Sequence, residues 1–445
     1  MKHALAVMAF VLISQLCSAA APAQPPSIIY MIGDGMGMEY LTAYRHFADD
    51  PATDEVEATL FDQLLVGTSA THAHGDALVT DSAASATALA TGTKTYNGAV
   101  GLDVNNQPLE TLLERAKRFG YSTAMVATTQ INHATPASFA AHIDSRHKYN
   151  AIADQYLDNR HQGKPWVDVL IGGGVQYFQR EDRDLVAGFS QLGYQYATDY
   201  DSLARLDKAP ALALLAPSFM PFAIDQEPTD RLAIMTAKAL QLMPKDKPFF
   251  LMVESSLIDW CGHTNDIACA MAEMRDTELA LQVVLDYIAQ QPNTIMVMTA
   301  DHSTGGLSIG ASGEQLWRPE IVHRVKASVY ELARTLLEEH NNWHSLWQQL
   351  TGITLKPEQK QSLTNLIGAV ANAEAKAEQD TAKDALRTGL AQLINSASAT
   401  GWTTDGHTGG DVSVMAAGVN AQQFAGYQDN TDIAKKLFTR LQPVK

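Results

Sequence analysis

Basic residues are scarce: 32 Lys and Arg stand against 49 Asp and Glu in 445 residues, a formal charge of −17. That balance excludes a nucleic-acid-binding surface, which needs clustered cations to neutralise phosphates. Long apolar runs are missing too. The one candidate, residues 4–16, follows Lys2 and His3, is too short to span a bilayer, and leads into the small residues of 18–23. This layout predicts a secretory leader at 1–21, cut within 19–23, and a periplasmic or extracellular protein with no membrane span. Cysteine is nearly absent, with three in the chain. Cys17 falls in the leader, after a Leu16 too bulky for a lipid-attachment signal. Cys261 and Cys269 then remain in an oxidising compartment that favours a bridge, although two small buried thiols fit equally well. Nucleotide-loop signatures are lacking as well. Residues 172–174 are glycines without the second spacing or the Lys-Ser/Thr ending, and 33–37 carries Asp34 within its glycines.

What is present is apolar sequence, 46% of the chain, enough for one large α/β core. Apolar, β-branched runs at 27–32, 122–127, 167–171, 249–253 and 294–299 read as buried parallel strands. Helical patterns at 109–118, 231–242 and 267–289 lie between them. The alternation predicts an open, doubly wound, mainly parallel α/β sheet flanked by helices. From 308 to 400 the sequence turns polar and helix-rich, with Trp317, Trp343 and Trp347, and reads as an inserted subdomain. Its tryptophans suit either a private core or a second subunit. The catalytic α/β domain would then comprise 22–307 and 401–445. A returning strand is expected at 411–417, and a closing helix at 432–441 with Asn430 or Thr431 as its cap.

Ligands gather at the carboxyl ends of strands in such sheets. There the sequence sets Asp34, Glu254 and the pair Asp301-His302. Residues 81–92 form an Ala-rich helix pattern closed by Gly92, with Ser82 in the first turn. That position faces free N–H groups and the positive end of the helix dipole, which suits a phosphate ester; alone it is no more than a capped helix. Asp259 and His263, four apart, share one helical face and can share a metal. His407 sits in the Gly-rich loop 406–410 before the last strand. Carboxylates that converge raise one another's pKa values unless cations lie among them.

The segments 33–37, 81–88, 133–137, 142–146, 253–254, 259–263, 300–302 and 407–410 resemble, in order, the motifs of the alkaline phosphatases. The resemblance spans 27–420 apart from the insertion. It implies hydrolysis of phosphate monoesters at alkaline pH through a phosphoserine at Ser82, with inorganic phosphate as product and inhibitor, and a homodimer. It also implies two Zn2+ and one Mg2+. Asp259, His263 and His407 would hold the first zinc, and Asp34, Asp301 and His302 the second, completed by Ser82. Asp34, Thr135 and Glu254 would hold magnesium, with His133 near it through water. Arg146 would grip the phosphoryl oxygens. His133 and Trp260 match a variant similar to some marine bacterial enzymes, where other relatives carry Asp and Lys. The sulfatase signature Cys/Ser-x-Pro-x-Arg is absent, since Ser82 is followed by Ala83-Ala84-Ser85. Phosphodiesterases of the superfamily lack the third metal set. A phosphate- or metal-binding protein without turnover would have no need of Ser82.

Overall fold

Strands buried on both faces need apolar side chains throughout, and the five runs expected as strands all join one sheet of ten. The computed structural model describes residues 24–444, so the leader expected at 1–21 and its cleavage window lie outside the described residues. In chain order the strands are β1 (Ser27–Gly33), β2 (Leu65–Ala70), β3 (Ser122–Gln130), β4 (Val169–Gly173), β5 (Gln195–Ala197), β6 (Ala211–Leu214), β7 (Phe249–Ser255), β8 (Thr294–Ala300), β9 (Val412–Gly418) and β10 (Gly426–Asp429). Their order across the sheet is β10-β2-β9-β8-β1-β7-β3-β4-β6-β5. All pairs are parallel except those of β9, which runs antiparallel to β8 and β2. The open, mainly parallel architecture is as expected.

Side chains of β1 alternate between two cores. Ile29 and Met31 enter one and Ile28, Tyr30 and Ile32 the other, as a period of two requires. Helices cover both faces. Helix α1 is Met38–Ala48, α2 Ser82–Thr91, α3 Ala134–Ala140, α4 Arg231–Leu242, α5 Leu257–His263, and α6 Ile267–Gln290. The expected bounds of α4 and α6 hold to within a residue. The last helix, α11 below, departs from expectation.

Residues 308–400 contain α7 (Val329–Glu338), α8 (Trp343–Thr351), α9 (Pro357–Asn372) and α10 (Lys376–Ser398). Trp343 and Trp347 are buried in the same apolar cluster as one face of the sheet rather than in a core of their own. The indole of Trp347 donates to Ile353 O at 2.8 Å. Asp266 fastens this region to the site helices, because its carboxylate accepts from Ala268 N and Cys269 N at the start of α6 and from Val329 N at the start of α7. Among the described residues no helix is long and apolar enough to cross a membrane.

Helix α11 spans Asn430–Phe438 and is capped by Asp429, whose side chain accepts from Thr431 N at 3.0 Å. This corrects the expected start at 432 and the expected caps, Asn430 and Thr431. Both lie inside the helix, and the Asn430 amide instead donates to Ser85 Oγ.

Trp347 is 2% exposed, so Trp347→Ala should cost about 3–5 kcal/mol by lost burial and residual cavity. Urea unfolding monitored by circular dichroism measures this. A loss under about 1 kcal/mol would mean that α8 is not anchored in the main core.

Candidate active site

Register brings the acidic groups level. Ile32 of β1 pairs with Glu254 of β7, and Gly33 pairs with Ala300 of β8, so Asp34, Glu254 and Asp301 emerge side by side at the carboxyl ends of three adjacent strands. All three are fully buried. Gly35 turns the chain away at φ +73°, and a Cβ there would lie 2.7 Å from Asp259 Cα. Glycine is therefore required between the two carboxylates.

Helix α2 is buried on every side, which its small Ala, Ser and Thr side chains permit. Asp81 caps it by accepting from Ala84 N at 2.9 Å, and Gly92 ends it in the left-handed conformation. Ser85 Oγ donates to Asp301 O at 2.7 Å and fixes the helix against β8. Ser82 Oγ thereby comes within 3.2 Å of His302 Nε2.

Three groups of side chains have ligand atoms mutually within 4.8 Å: Asp34, Asp301 and His302; Asp34, His133 and Glu254; and Asp259, His302 and His407. His263, expected beside Asp259 and His407, has Nε2 3.3 Å from Asp259 Oδ2. Its ring centroid is 5.1 Å from that of His407. The Nδ1 atoms of both histidines meet backbone carbonyls, Asp405 O for His263 and Thr80 O for His407. Each Nε2 is thus turned toward Asp259, at 3.3 Å for His263 and 3.6 Å for His407, the orientation a metal-ligating imidazole needs once its Nε2 proton is given up.

Many polar atoms here have no partner in the protein. Both carboxylate oxygens of Asp34 and of Glu254, Asp301 Oδ2, Thr135 Oγ1 and His133 Nδ1 are all buried and unpaired. Burial raises the Asp34 pKa, with repulsion from Asp301, Asp259 and Glu254 adding to it. Burial pushes Glu254 up to about 7. Buried carboxylates in such a cluster are satisfied by divalent cations bound among them, and this donor set of oxygens and imidazoles suits such ions.

Arg146 stands over the cluster, donating to Asp81 Oδ2 at 3.1 Å and, from its other terminal nitrogen, contacting His133 Nε2 at 3.2 Å. An arginine can only donate, so the neutral His133 ring accepts at Nε2 and keeps its proton on Nδ1. Trp260 packs on Phe219 with ring centroids 4.4 Å apart and edge-on to His133. A cleft of about 350 Å3 opens above, lined by His133, Arg146, Asp259, Trp260, His263 and His407, with Tyr330 from α7 as the remaining wall.

The twelve residues expected at the site converge on this one sheet edge. Three more emerge from the geometry. Asp81 holds Arg146 as well as capping α2. Thr304 donates to Asp259 Oδ1 and meets His302 Nδ1 at 3.2 Å. Tyr330 arrives from the polar region 308–400. Thr304 follows His302 by two residues, which is a signal available in the sequence; Tyr330 has none. Cys261 and Cys269 are joined by a disulfide, Cα atoms 5.5 Å apart, which ties the end of α5 to the first turn of α6.

The alkaline phosphatase family model matches residues 26–442. Alkaline phosphatase 3 of Bacillus subtilis is 41% identical over 423 residues, covering 94% of this chain and 89% of that protein. The repressible alkaline phosphatase of Saccharomyces cerevisiae is 32% identical over 430 residues, 88% of this chain and 75% of its own. Among solved structures, the cold-active alkaline phosphatase from the psychrophile Shewanella sp. superposes with a TM-score of 0.86 at 44% identity, covering 93% of this chain and 99% of that one. With this architecture, a serine at a helix N-terminus and clustered metal-ligating groups around it, the chain belongs to the alkaline phosphatase family of metal-dependent phosphomonoesterases.

Proposed function

We propose that this enzyme hydrolyses phosphate monoesters at alkaline pH by way of a phosphoserine at Ser82, with two zinc ions and one magnesium ion bound among the clustered carboxylates and histidines. The observation that carries the reading is the set of buried ligand atoms without hydrogen-bond partners, joined to Ser82 through His302, whose Nε2 lies 3.2 Å from Ser82 Oγ and clusters with Asp34 and Asp301. Asp34, Asp301 and His302 would hold the zinc beside Ser82, and Asp259, His263 and His407 the other. Asp34, Thr135 and Glu254 would hold magnesium, with His133 near it through a water that would accept from Nδ1–H. When bound, these cations supply neutralisation for the entering and leaving oxygens of an in-line displacement.

Ser82 Oγ bonds to phosphorus as the bond from phosphorus to the substrate oxygen breaks, and the departing alcohol takes up a proton. Water then attacks the phosphoserine, phosphate leaves, and Ser82 regains its proton. The free N–H groups of the first turn of α2 and the Arg146 guanidinium face the phosphoryl oxygens, where charge builds in the transition state. Because this recognition concerns the phosphoryl group, many alcohols can be accepted. Residues 308–400 are read as a subdomain inserted into a catalytic domain of 22–307 and 401–445, and as the contact to a second subunit in a homodimer. Secretion to the periplasm or the exterior accords with the leader and with the disulfide.

Hydrolysis of p-nitrophenyl phosphate at about pH 9–10, in the alkaline range where zinc held by these residues would supply its lowering of water's pKa, tests the activity. Ser82→Ala should lose about 1,000-fold or more, and acid quenching of the wild type should leave a phosphoryl group on Ser82 detectable by peptide mass spectrometry. A diester turned over far faster than the monoester, or full activity in Ser82→Ala, would sink the proposal.

Metal removal gives a second prediction, whose sign follows from Glu254. In the metal-free protein its folded pKa is raised to about 7, whereas the unfolded chain releases that proton near pH 4.3. The folded state binds more protons in this window, so chelated protein should lose stability as pH rises from about 4.3 to about 7, on the order of 4 kcal/mol from Glu254. It should go on losing it above, because against the lowering effect of burial the hydrogen bond to Asp259 raises His263 to about 9, and burial raises Asp34 as well. Zinc and magnesium bind the ionised carboxylates and should abolish the slope. Melting temperature against pH, with chelator and with metals, reads this; a chelated protein that gains stability across the window would contradict it.

A further inference from the structure

Between α3, which ends at Ala140, and the helix Tyr149–Asp158 the chain forms no regular element, yet there it presents Arg146 to the cleft. Its support is a short antiparallel pairing with 98–101. Ile143 N donates to Val100 O and Val100 N to Ile143 O, both at 2.9 Å, and Arg146 N donates to Gly98 O at 2.9 Å. Whatever fixes this pairing therefore also aims the guanidinium.

His142 fixes it through all four of its polar atoms. Its backbone N donates to Gln155 Oε1 at 2.8 Å, and its O accepts from Gln155 Nε2 at 3.0 Å. The ring sets Nδ1 2.8 Å from Gly101 O and Nε2 2.8 Å from Glu114 Oε1. A Cβ on Gly101 would lie 2.8 Å from that Nδ1 and 2.3 Å from Ala141 O, so the two segments meet this closely only through glycine. Glu114 is anchored in its turn. Its Oε2 accepts from Thr111 N at 3.0 Å, and Thr111 Oγ1 donates to Phe139 O at 2.7 Å, at the end of α3. One imidazole thus ties 98–101 and 142–146 to the capped start of the helix Leu112–Arg118.

Both ring nitrogens face acceptors. A carbonyl oxygen only accepts, so Nδ1 carries a proton, and the 2.8 Å contact with the carboxylate needs a second proton on Nε2. Burial works to lower the His142 pKa, but the hydrogen bond and charge of Glu114, with Gly101 O, raise it above the ordinary value. Glu114 is the one charged group facing the ring. Residues 98–101 and α3 carry no charge, the helix Tyr149–Asp158 offers the neutral Gln155, and the basic residues of Leu112–Arg118 turn to Glu110 and Asp168. Loss of the second proton would set a lone pair against the carboxylate and break that tie. We infer that His142 is a positioning residue for Arg146, and that its doubly protonated ring makes the grip on phosphate firm near neutral pH and slacker in the alkaline range. The inference rests on the role proposed for Arg146 at the phosphoryl group.

Equilibrium dialysis of inorganic phosphate against the metal-loaded enzyme, at about pH 7 and about pH 10 on either side of the raised imidazole, reads the grip directly. His142→Gln, which has no titrating ring, should raise Kd about tenfold relative to wild type at the lower pH and less than about twofold at the higher one. A merely structural defect would weaken binding by the same factor at both. Glu114→Gln is the second variant: glutamine still serves the helix cap but no longer holds the ring's proton, so the same pattern is expected. In an Arg146→Ala background His142→Gln should add less than about twofold. Equal factors at the two pH values in both variants, or a further tenfold loss on top of Arg146→Ala, overturns the inference. An enzyme that hydrolyses p-nitrophenyl phosphate but gives those results loses the inference alone, whereas a metal-loaded wild type that neither binds phosphate nor hydrolyses the ester loses the monoesterase reading with it.

Discussion

Mutual repulsion among carboxylates sealed from water is the constraint around which the molecule is arranged. Asp34, Glu254 and Asp301 end three strands whose register is locked by the β1 ladders on either side, so they cannot move apart. The protein satisfies only part of this cluster itself. Asp301 Oδ1 accepts from Gly35 N and His302 N, and Asp259 accepts from Thr304, while Asp34 has only the His302 ring at 3.5 Å and Glu254 has no well-formed hydrogen bond. Leaving charge unpaired in a dry interior is costly. The surrounding sheet, buried on both faces, is what makes a site that unfavourable tolerable in the absence of cations.

Around that fixed edge the remaining parts have separate duties. Helix α2 is assembled from residues small enough to be packed on all sides, which lets a serine at its first turn be held by Ser85 and Asn430 rather than by a bulky neighbour. The phosphoryl end of the site is built from the sheet and its first helices. The outer wall, Tyr330, belongs to a region held to the core by Trp347 and by Asp266 at the junction of α6 and α7. The clustered ligand groups and the far wall of the cleft are thus carried by different stretches of chain.

Legibility in the sequence followed burial. The five central strands read as uninterrupted apolar runs because neither face is exposed, and the carboxylates directly after them were conspicuous for that reason. β5 and β10 are short, lie at the two edges and lack such runs, and β2 is only partly buried. Asp429, Asn430 and Thr431 are all competent caps, so which of them begins α11 depends on the β10 ladder that delivers Asp429 to the helix start. The residues expected as ligands lie together at one sheet edge, and of the neighbours that orient them Thr304 is marked only by its place two residues after His302, while Asp81 reads in the sequence as no more than a helix cap. Tyr330 could not be foreseen at all, because its place depends on how 308–400 packs back onto the core.

Asp81 uses one oxygen to close the end of the nucleophile's helix, where it also accepts from Gly98 N, and the other to hold Arg146. In the proposed mechanism, grip on the phosphoryl group and placement of the attacking serine would therefore share a single side chain. Loosening Arg146 to hasten product departure, the simplest route to a faster enzyme, would at the same stroke uncap α2 unless the replacement keeps an acceptor of the right length. Change at this position is confined to a narrow choice of residues, whereas His133, which meets the same guanidinium, and Trp260, which lines the cleft, carry no part of the helix.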